Sequence, residues 1–214
     1  MKESDTRDRI VSSGMALMHA RGYNAVGVQE ICEAARVHKG SFYHFFPSKR
    51  DLALAVIDRF WDIFQTELLT PAFADDIPPL ARIQRFCQMS CQMVKLSLAE
   101  PDATFNGCLL GNFALEISHQ DDAIREKLQE IFGFFVDIFE RALSEAVEVG
   151  EISAIDARAT AQELVAYYEG AAVLAKTYDD ADLVERLLQK TLQIVHANSV
   201  ETSDTTSTPL DDAD

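Results

Sequence analysis

The stretch VQEICEAARVHKGSFYHFFPSKRD, Val28 to Asp51, decides how this chain is to be read. Its first eight residues, Val28 to Ala35, put Ile31, Ala34 and Ala35 on one face of a short helix that can meet a core. Arg36-Val37 leaves room only for a tight connection. A second short helix is expected from His38 to about Phe46, ended by Pro47, which cannot continue a helix. Ser48-Lys49-Arg50-Asp51 has the S-x-x-D form of a capping box and opens a longer helix running to about Leu69. Two short helices across a tight turn form the geometry that lays the second helix in a DNA major groove, roughly 12 Å wide and able to admit one α-helix.

The second helix suits that position. Lys39-Gly40-Ser41 is small and polar with one charge, and Gly40 lets the backbone come close to a phosphate. Tyr43 and His44 carry hydrogen-bonding groups that need an outlet, while Phe42, Phe45 and Phe46 can anchor the helix from behind. Lys49, at the start of the next helix, combines an ammonium with free backbone amides, a pairing that suits phosphate.

Working outward, residues 6–21 place Ile10, Gly14, Leu17, Met18 and Arg21 on one helical stripe, with Gly22 as a C-terminal cap. Downstream, Pro71 and Pro78-Pro79 bracket a loop. Ile83, Cys87, Val94 and Leu98 recur at helical spacing, and Glu100 to Gly107 is a break. A short helix is expected over Cys108 to Ile117. A longer one follows from about Asp121, with Ile124, Leu128, Ile131, Phe135, Ile138 and Phe139 on one face and Gly150 closing it. Asp156 is the N-cap of an eighth helix reaching about Thr177, and Asp182 to Ala197 is a ninth. The fold class is therefore all-α with about nine helices. Residues 1–52 form a three-helix domain containing the helix-turn-helix, residues 53–198 a second helical domain, and 199–214 an acidic tail too poor in apolar residues to order.

The totals bound the function. Only 9 Gly and 6 Pro in 214 residues argue against a turn-rich β fold. The net charge of −16 is unevenly spread: residues 1–50 hold eight Lys/Arg against five Asp/Glu, and residues 51–214 hold eleven against thirty. A local basic surface is what DNA requires, although the same excess also fits a plain solvated face. No apolar run approaches the roughly 20 residues of a membrane span, and MKESDTRDRI lacks the apolar centre of a signal peptide, so a cytoplasmic protein with no membrane partner is expected. Cys32, Cys87, Cys91 and Cys108 are then free thiols. No phosphate loop, nucleophile elbow or metal-binding His pair is present, which excludes the common enzyme classes; no cofactor and no metal are expected. The remaining alternative to a DNA-binding regulator is a protein-interaction module whose basic N-terminal face meets a protein partner.

Residues 6–54 resemble the DNA-binding domain of the TetR family of regulators. The resemblance is carried by Gly22-Tyr23, by Val28, Ile31, Ala34, Ala35 and Val37, by Lys39 through Phe46, and by Ser48-Lys49-Arg50-Asp51-Leu52. It implies DNA contacts at Gln29, Lys39, Gly40, Ser41, Tyr43, His44 and Lys49. Lys39, Tyr43, His44 and Lys49 would mainly meet phosphate, and Gln29, with Ser41 or Lys39, base edges. Three departures stand out: Val26-Gly27 replaces the family's usual Thr or Ser, making Gly27 a weaker cap. Arg36 stands where the turn usually has Gly, and His38 where the second helix often begins with Ser.

The same resemblance implies a ligand pocket bounded by helices 4 to 8 and a homodimer through helices 8 and 9. Gly150-Glu151-Ile152, Asp156, Leu164 and Gly170 resemble the family's entry into helix 8, and the small Ala171, Ala172 and Ala175 would allow close helix approach. Leu183, Leu187, Ile194 and Val195 form an apolar stripe on helix 9 that fits intramolecular core as well as a dimer seam. It further implies an inverted-repeat operator and release by a small-molecule inducer or a reactive electrophile, with repression the expected sign. Phe86, Met89, Met93, Phe105, Phe113, Phe134 and Tyr168 could line the pocket or be plain core. Asn106-Gly107-Cys108-Leu109-Leu110-Gly111-Asn112 puts a thiol at a helix N-terminus, where backbone dipoles favour thiolate. That segment resembles a subgroup of the family that senses electrophiles or oxidants through a cysteine at this place; a small buried helix-starting residue is the other reading. Cys87 and Cys91 share a helical face without two further metal ligands nearby and read as core, as does Cys32.

Overall fold

The computed structural model describes residues 3–99 and 103–204, and among these every regular element is helical. The chain divides into two compact units, Met1–Glu67 with Asn106–Phe132, and Leu68–Phe105 with Gly133–Asp214. No helix among the described residues is long and apolar enough to cross a membrane.

The first unit holds α1 (Glu3–Arg21), α2 (Val28–Ala35), α3 (Lys39–Phe45), α4 (Lys49–Phe64) and α6 (Leu109–Ile117). Its core joins Ile10 and Met18 of α1, Ile31 of α2, Phe42 of α3, Leu52, Val56 and Ile57 of α4, and Leu109 and Phe113 of α6. Phe42 is fully buried, which contributes on the order of 2–3 kcal/mol by area. The expected caps are in place. Gly22 closes α1 at φ +88°, and its N–H bonds the Met18 carbonyl at 2.9 Å. Ser48 Oγ accepts the Asp51 N–H at 3.2 Å and donates to the Asp51 carboxylate at 2.6 Å.

α4 does not run to Leu69 in one register. It widens into a π-helical turn over Gln65–Leu69 before a last α-turn at Thr70–Ala72. Pro71 supplies the reason: its ring has no N–H and would strike the carbonyl four residues back in an unbroken α-helix, and the wider turn moves that carbonyl aside.

The second unit is built on α5 (Pro79–Ser97), α8 (Ala157–Tyr178), α9 (Asp182–Leu188) and α10 (Thr191–Asp204). The long α7 (Asp122–Glu148) begins in the first unit and ends in the second. The rings of Phe73, Phe86, Phe135, Phe139 and Tyr168 interlock with centroids 5.1–5.9 Å apart, mostly tilted or edge-to-face. Asp156 caps α8 by accepting the Ala159 N–H at 2.9 Å, as its position suggests. The ninth helix expected over Asp182 to Ala197 is split at Gln189-Lys190, because the Thr191 hydroxyl donates to the Leu188 carbonyl at 2.8 Å and ends α9 there. Helical backbone also continues to Asp204, into the stretch expected to be a tail. The Ser199 hydroxyl turns inward to the Val195 carbonyl at 2.9 Å, which removes its competition with the helix; residues 205–214 lie outside the described ones.

Candidate DNA interface and sensing residues

The α2–turn–α3 unit has the expected form with unexpected local solutions. Arg36 ends α2 in the left-handed region (φ 54°, ψ 50°), the conformation that favours glycine, and its N–H reaches the Cys32 and Glu33 carbonyls. Gly27 offers no side-chain acceptor, so α2 has half a capping box: Glu30 Oε2 accepts the Gly27 N–H at 3.0 Å. Arg21 grips the same carboxylate at 2.6 Å. Those two bonds, the Gly27 N–H first, hold the Glu30 carboxyl below its usual range.

On α3 the faces separate cleanly. Phe42 points inward, Tyr43 is 51% exposed with its ring edge-on to Phe42, and Lys39, Gly40 and His44 are exposed. Ser41 is half-buried. A Cβ on Gly40 would meet nothing within 4 Å, so its value is backbone access from outside, not internal space. His38 precedes the helix as an exposed N-cap without a side-chain cap bond. Gln29 is exposed on α2, and its amide N–H donates to Glu33 at 2.7 Å, leaving its carbonyl and second N–H to meet a ligand.

Lys49 is placed differently from the bare expectation. Its Nζ donates to the Tyr23 carbonyl at 3.0 Å and the Val26 carbonyl at 3.1 Å, and it lies 4.1 Å from the Tyr23 ring centroid. Desolvation lowers its pKa, with Glu116 pulling the other way. The ammonium thus fastens the α1–α2 turn to the start of α4 with two of its three protons. The opposite side of that turn is held by Glu116 of α6, whose carboxylate accepts the Tyr23 N–H at 2.7 Å and the Asn24 N–H at 2.6 Å. The other end of α6 is tied to α1 by His19 Nε2, 2.8 Å from the Gly107 carbonyl. No local sequence pattern marks His19 or Glu116, because their partners stand 88 and 92–93 residues away.

Cys108 is the N-cap of α6, partly exposed, after Gly107 at φ +75°. The expected pocket residues fall into separate environments. Phe86 and Tyr168 join the aromatic cluster of the second unit, whereas Phe113 packs on Tyr23 in the first at 6.1 Å. Phe134 and Met93 are exposed, and Met89 and Phe105 half-buried. One cavity of about 590 Å³ lies between α5 and the α9–α10 region, lined by other residues, Cys87 and Cys91 among them.

The family described as bacterial regulatory proteins of the tetR family matches residues 10–56, and that described as the tetracyclin repressor-like C-terminal domain matches residues 79–191. The chain belongs to the TetR family. It is 35% identical over 170 residues to the transcriptional regulator AcuR of Cereibacter sphaeroides, covering 78% of this chain and 74% of that protein. It is 29% identical to the transcriptional repressor DhaR of a Mycobacterium species, covering 88% and 91%. It is 27% identical to the repressor NemR of Escherichia coli, covering 92% and 98%. The crystal structure of a TetR regulatory protein from Rhodobacter sphaeroides superposes with a TM-score of 0.76 at 32% identity, over 87% of this chain and 97% of that one.

As a TetR-family member the chain is a DNA-binding transcriptional regulator and not an enzyme. Regulators of the TetR family bind DNA operators and act as dimers with small-molecule ligands.

Proposed function

We propose that this TetR regulator is a repressor that binds an inverted-repeat operator as a homodimer, with α3 in the major groove, and leaves it when an inducer acts. The separation of faces on α3 carries the reading: Phe42 is sealed in the core while Tyr43, His44, Lys39 and Gly40 face solvent. Base edges fall to Gln29 with Ser41 or Lys39, and phosphates to Tyr43, His44 and the remaining proton of Lys49. The dimer forms through α8 and the α9–α10 segment, and the exposed Val173, Leu174 and Tyr178 of α8 support that seam. Ala171, Ala172 and Ala175, the small residues expected to allow close helix approach, are buried within one protomer. Two recognition helices related by a two-fold axis read half-sites roughly 34–36 Å apart.

The test is a mobility shift on the DNA flanking the gene over a salt series. Lys49→Ala should weaken operator and random DNA alike and flatten the salt slope by about one unit of ion release. Gln29→Ala should change sequence preference; equal losses on both DNAs would remove it from base readout. Absence of any specific site in a randomised pool would overturn the reading.

Cys108 is the sensing residue within this proposal. Its partial exposure at the start of α6 supports it, as do the bonds tying both ends of α6 to α1 and the α1–α2 turn. A thiol-reactive electrophile should release DNA from wild type and not from Cys108→Ser. Release from neither would return Cys108 to a structural role and direct the search to reversible ligands.

A further inference from the structure

The cavity beside α5 is separate from Cys108 and has its own chemistry. Its volume of about 590 Å³ lies within the roughly 300–1,000 Å³ of small-molecule sites. Cys87 and Cys91 line it from successive turns of one helix face, a spacing that brings two side chains to about 5–6 Å at Cβ and lets both sulfurs reach one atom between them. Around them the wall offers no unpaired charge. Lys95 and Glu185 neutralise each other at 2.6 Å, and the amide of Gln88 is uncharged. The site therefore favours a neutral guest, and the two thiols are its soft nucleophiles.

We propose that this cavity is a two-thiol capture site for a neutral thiophilic Lewis acid of the trivalent organoarsenical class. For an arsine oxide the step is a condensation. The two As–O bonds break, two As–S bonds form, and the two thiol protons leave with the oxygen as water. Arsenic stays trivalent and no oxidant is needed. Soft sulfur donors suit such an acceptor. Burial pushes the Cys87 thiol up to about 11 and raises Cys91 as well, so a reagent that needs a single thiolate finds little of it. Two As–S bonds to one centre offset that cost.

Capture also reaches beyond the cavity. The Cys87 thiol donates to Thr191 Oγ1 at 3.4 Å, and the Thr191 hydroxyl donates to the Leu188 carbonyl at 2.8 Å. Losing the Cys87 proton removes the first bond of a chain that ends at the junction of α9 and α10.

The experiment uses the full-length protein and phenylarsine oxide, with native free thiols counted before and after and the adduct weighed by mass spectrometry. Wild type should take one phenylarsenic per chain, lose two thiols and recover both on adding a dithiol. Cys87→Ser and Cys91→Ser should each bind at least a hundredfold more weakly, and Cys108→Ser should bind like wild type. If Cys87→Ser fails to fold by its helical circular dichroism, Cys91→Ser and differential alkylation of wild type decide the case. No adduct in wild type, one thiol lost per arsenical, an adduct surviving in Cys91→Ser, or loss in Cys108→Ser would each overturn the proposal. The last result would still leave Cys108 as a sensor, so the two readings fail separately.

Discussion

Gly22 and Glu116 share one small space: a Cβ built on Gly22 would sit 2.8 Å from Glu116 Oε2, the atom that accepts the Tyr23 N–H. The glycine is thus required twice, by its φ of +88° and by the carboxylate pressed against it. Gly22→Ala should cost about 2–4 kcal/mol, roughly 1–2 from left-handed strain and the rest from displacing Glu116 from two backbone donors. Glu116→Ala should reproduce only the second part. Urea unfolding of the two variants measures both; equal losses would show that backbone strain at Gly22 contributes nothing.

Arg36 raises the opposite case, a left-handed residue that is not glycine. Arg36→Gly should stabilise the fold by about 0.5–1 kcal/mol, since relief of roughly 1–2 kcal/mol of strain exceeds the added chain entropy of glycine. A raised melting temperature with unchanged DNA affinity would make Arg36 a tolerated departure. A raised melting temperature with weaker binding would give its guanidinium a DNA contact.

Arg82 is buried and carries three bonds at once, to the Ile77 carbonyl at 2.9 Å, Glu145 at 2.7 Å and Asp75 at 3.0 Å. It holds the segment before α5 onto α7. Arg82→Met keeps much of the volume and loses the bonds, so it should destabilise by about 2–4 kcal/mol. A change within half a kcal/mol in chemical unfolding would show these bonds to be of no net consequence.

Cys87 sets a pH dependence. Burial raises its pKa from 9.0 to about 11, so between those values the unfolded chain releases a proton that the folded chain keeps. Stability tied to this group is complete below pH 9 and falls as pH rises toward 11. The size is of order 2–3 kcal/mol for a shift of about two units. Cys87→Ser should remove that part of the slope between pH 9 and 11, measured by urea midpoints against wild type. Parallel slopes would show that the thiol does not titrate differently on folding.

Much of this was legible in the sequence because it is local. Caps at Ser48 and Asp156, the stop at Gly22 and the apolar stripes of α1 and α7 depend on residues within one or two turns, where spacing carries the information. The same locality let the α3 surface be read: Phe42 inward, Lys39 and Tyr43 outward. What escaped is either long-range or a conflict between neighbours. His19 and Glu116 find partners some ninety residues away. The wide turn at Gln65–Leu69 settles a clash created by a proline several residues later. The expected pocket lining was selected for bulk and softness, properties shared by core residues, and periodicity could not show that Phe113 and Phe86 belong to different units.

Exchange of parts between relatives meets a constraint set by the first compact unit, which takes in Asn106–Phe132 as well as the opening helices. A hybrid regulator joined at residue 52 would separate the α1–α2 turn from the carboxylate that holds it and Arg50 from Asp121, its partner at 2.6 Å. The portable reading head is therefore discontinuous. To graft this protein's operator preference onto another sensor, the transplant has to carry α6 and the first turns of α7 along with the helix-turn-helix.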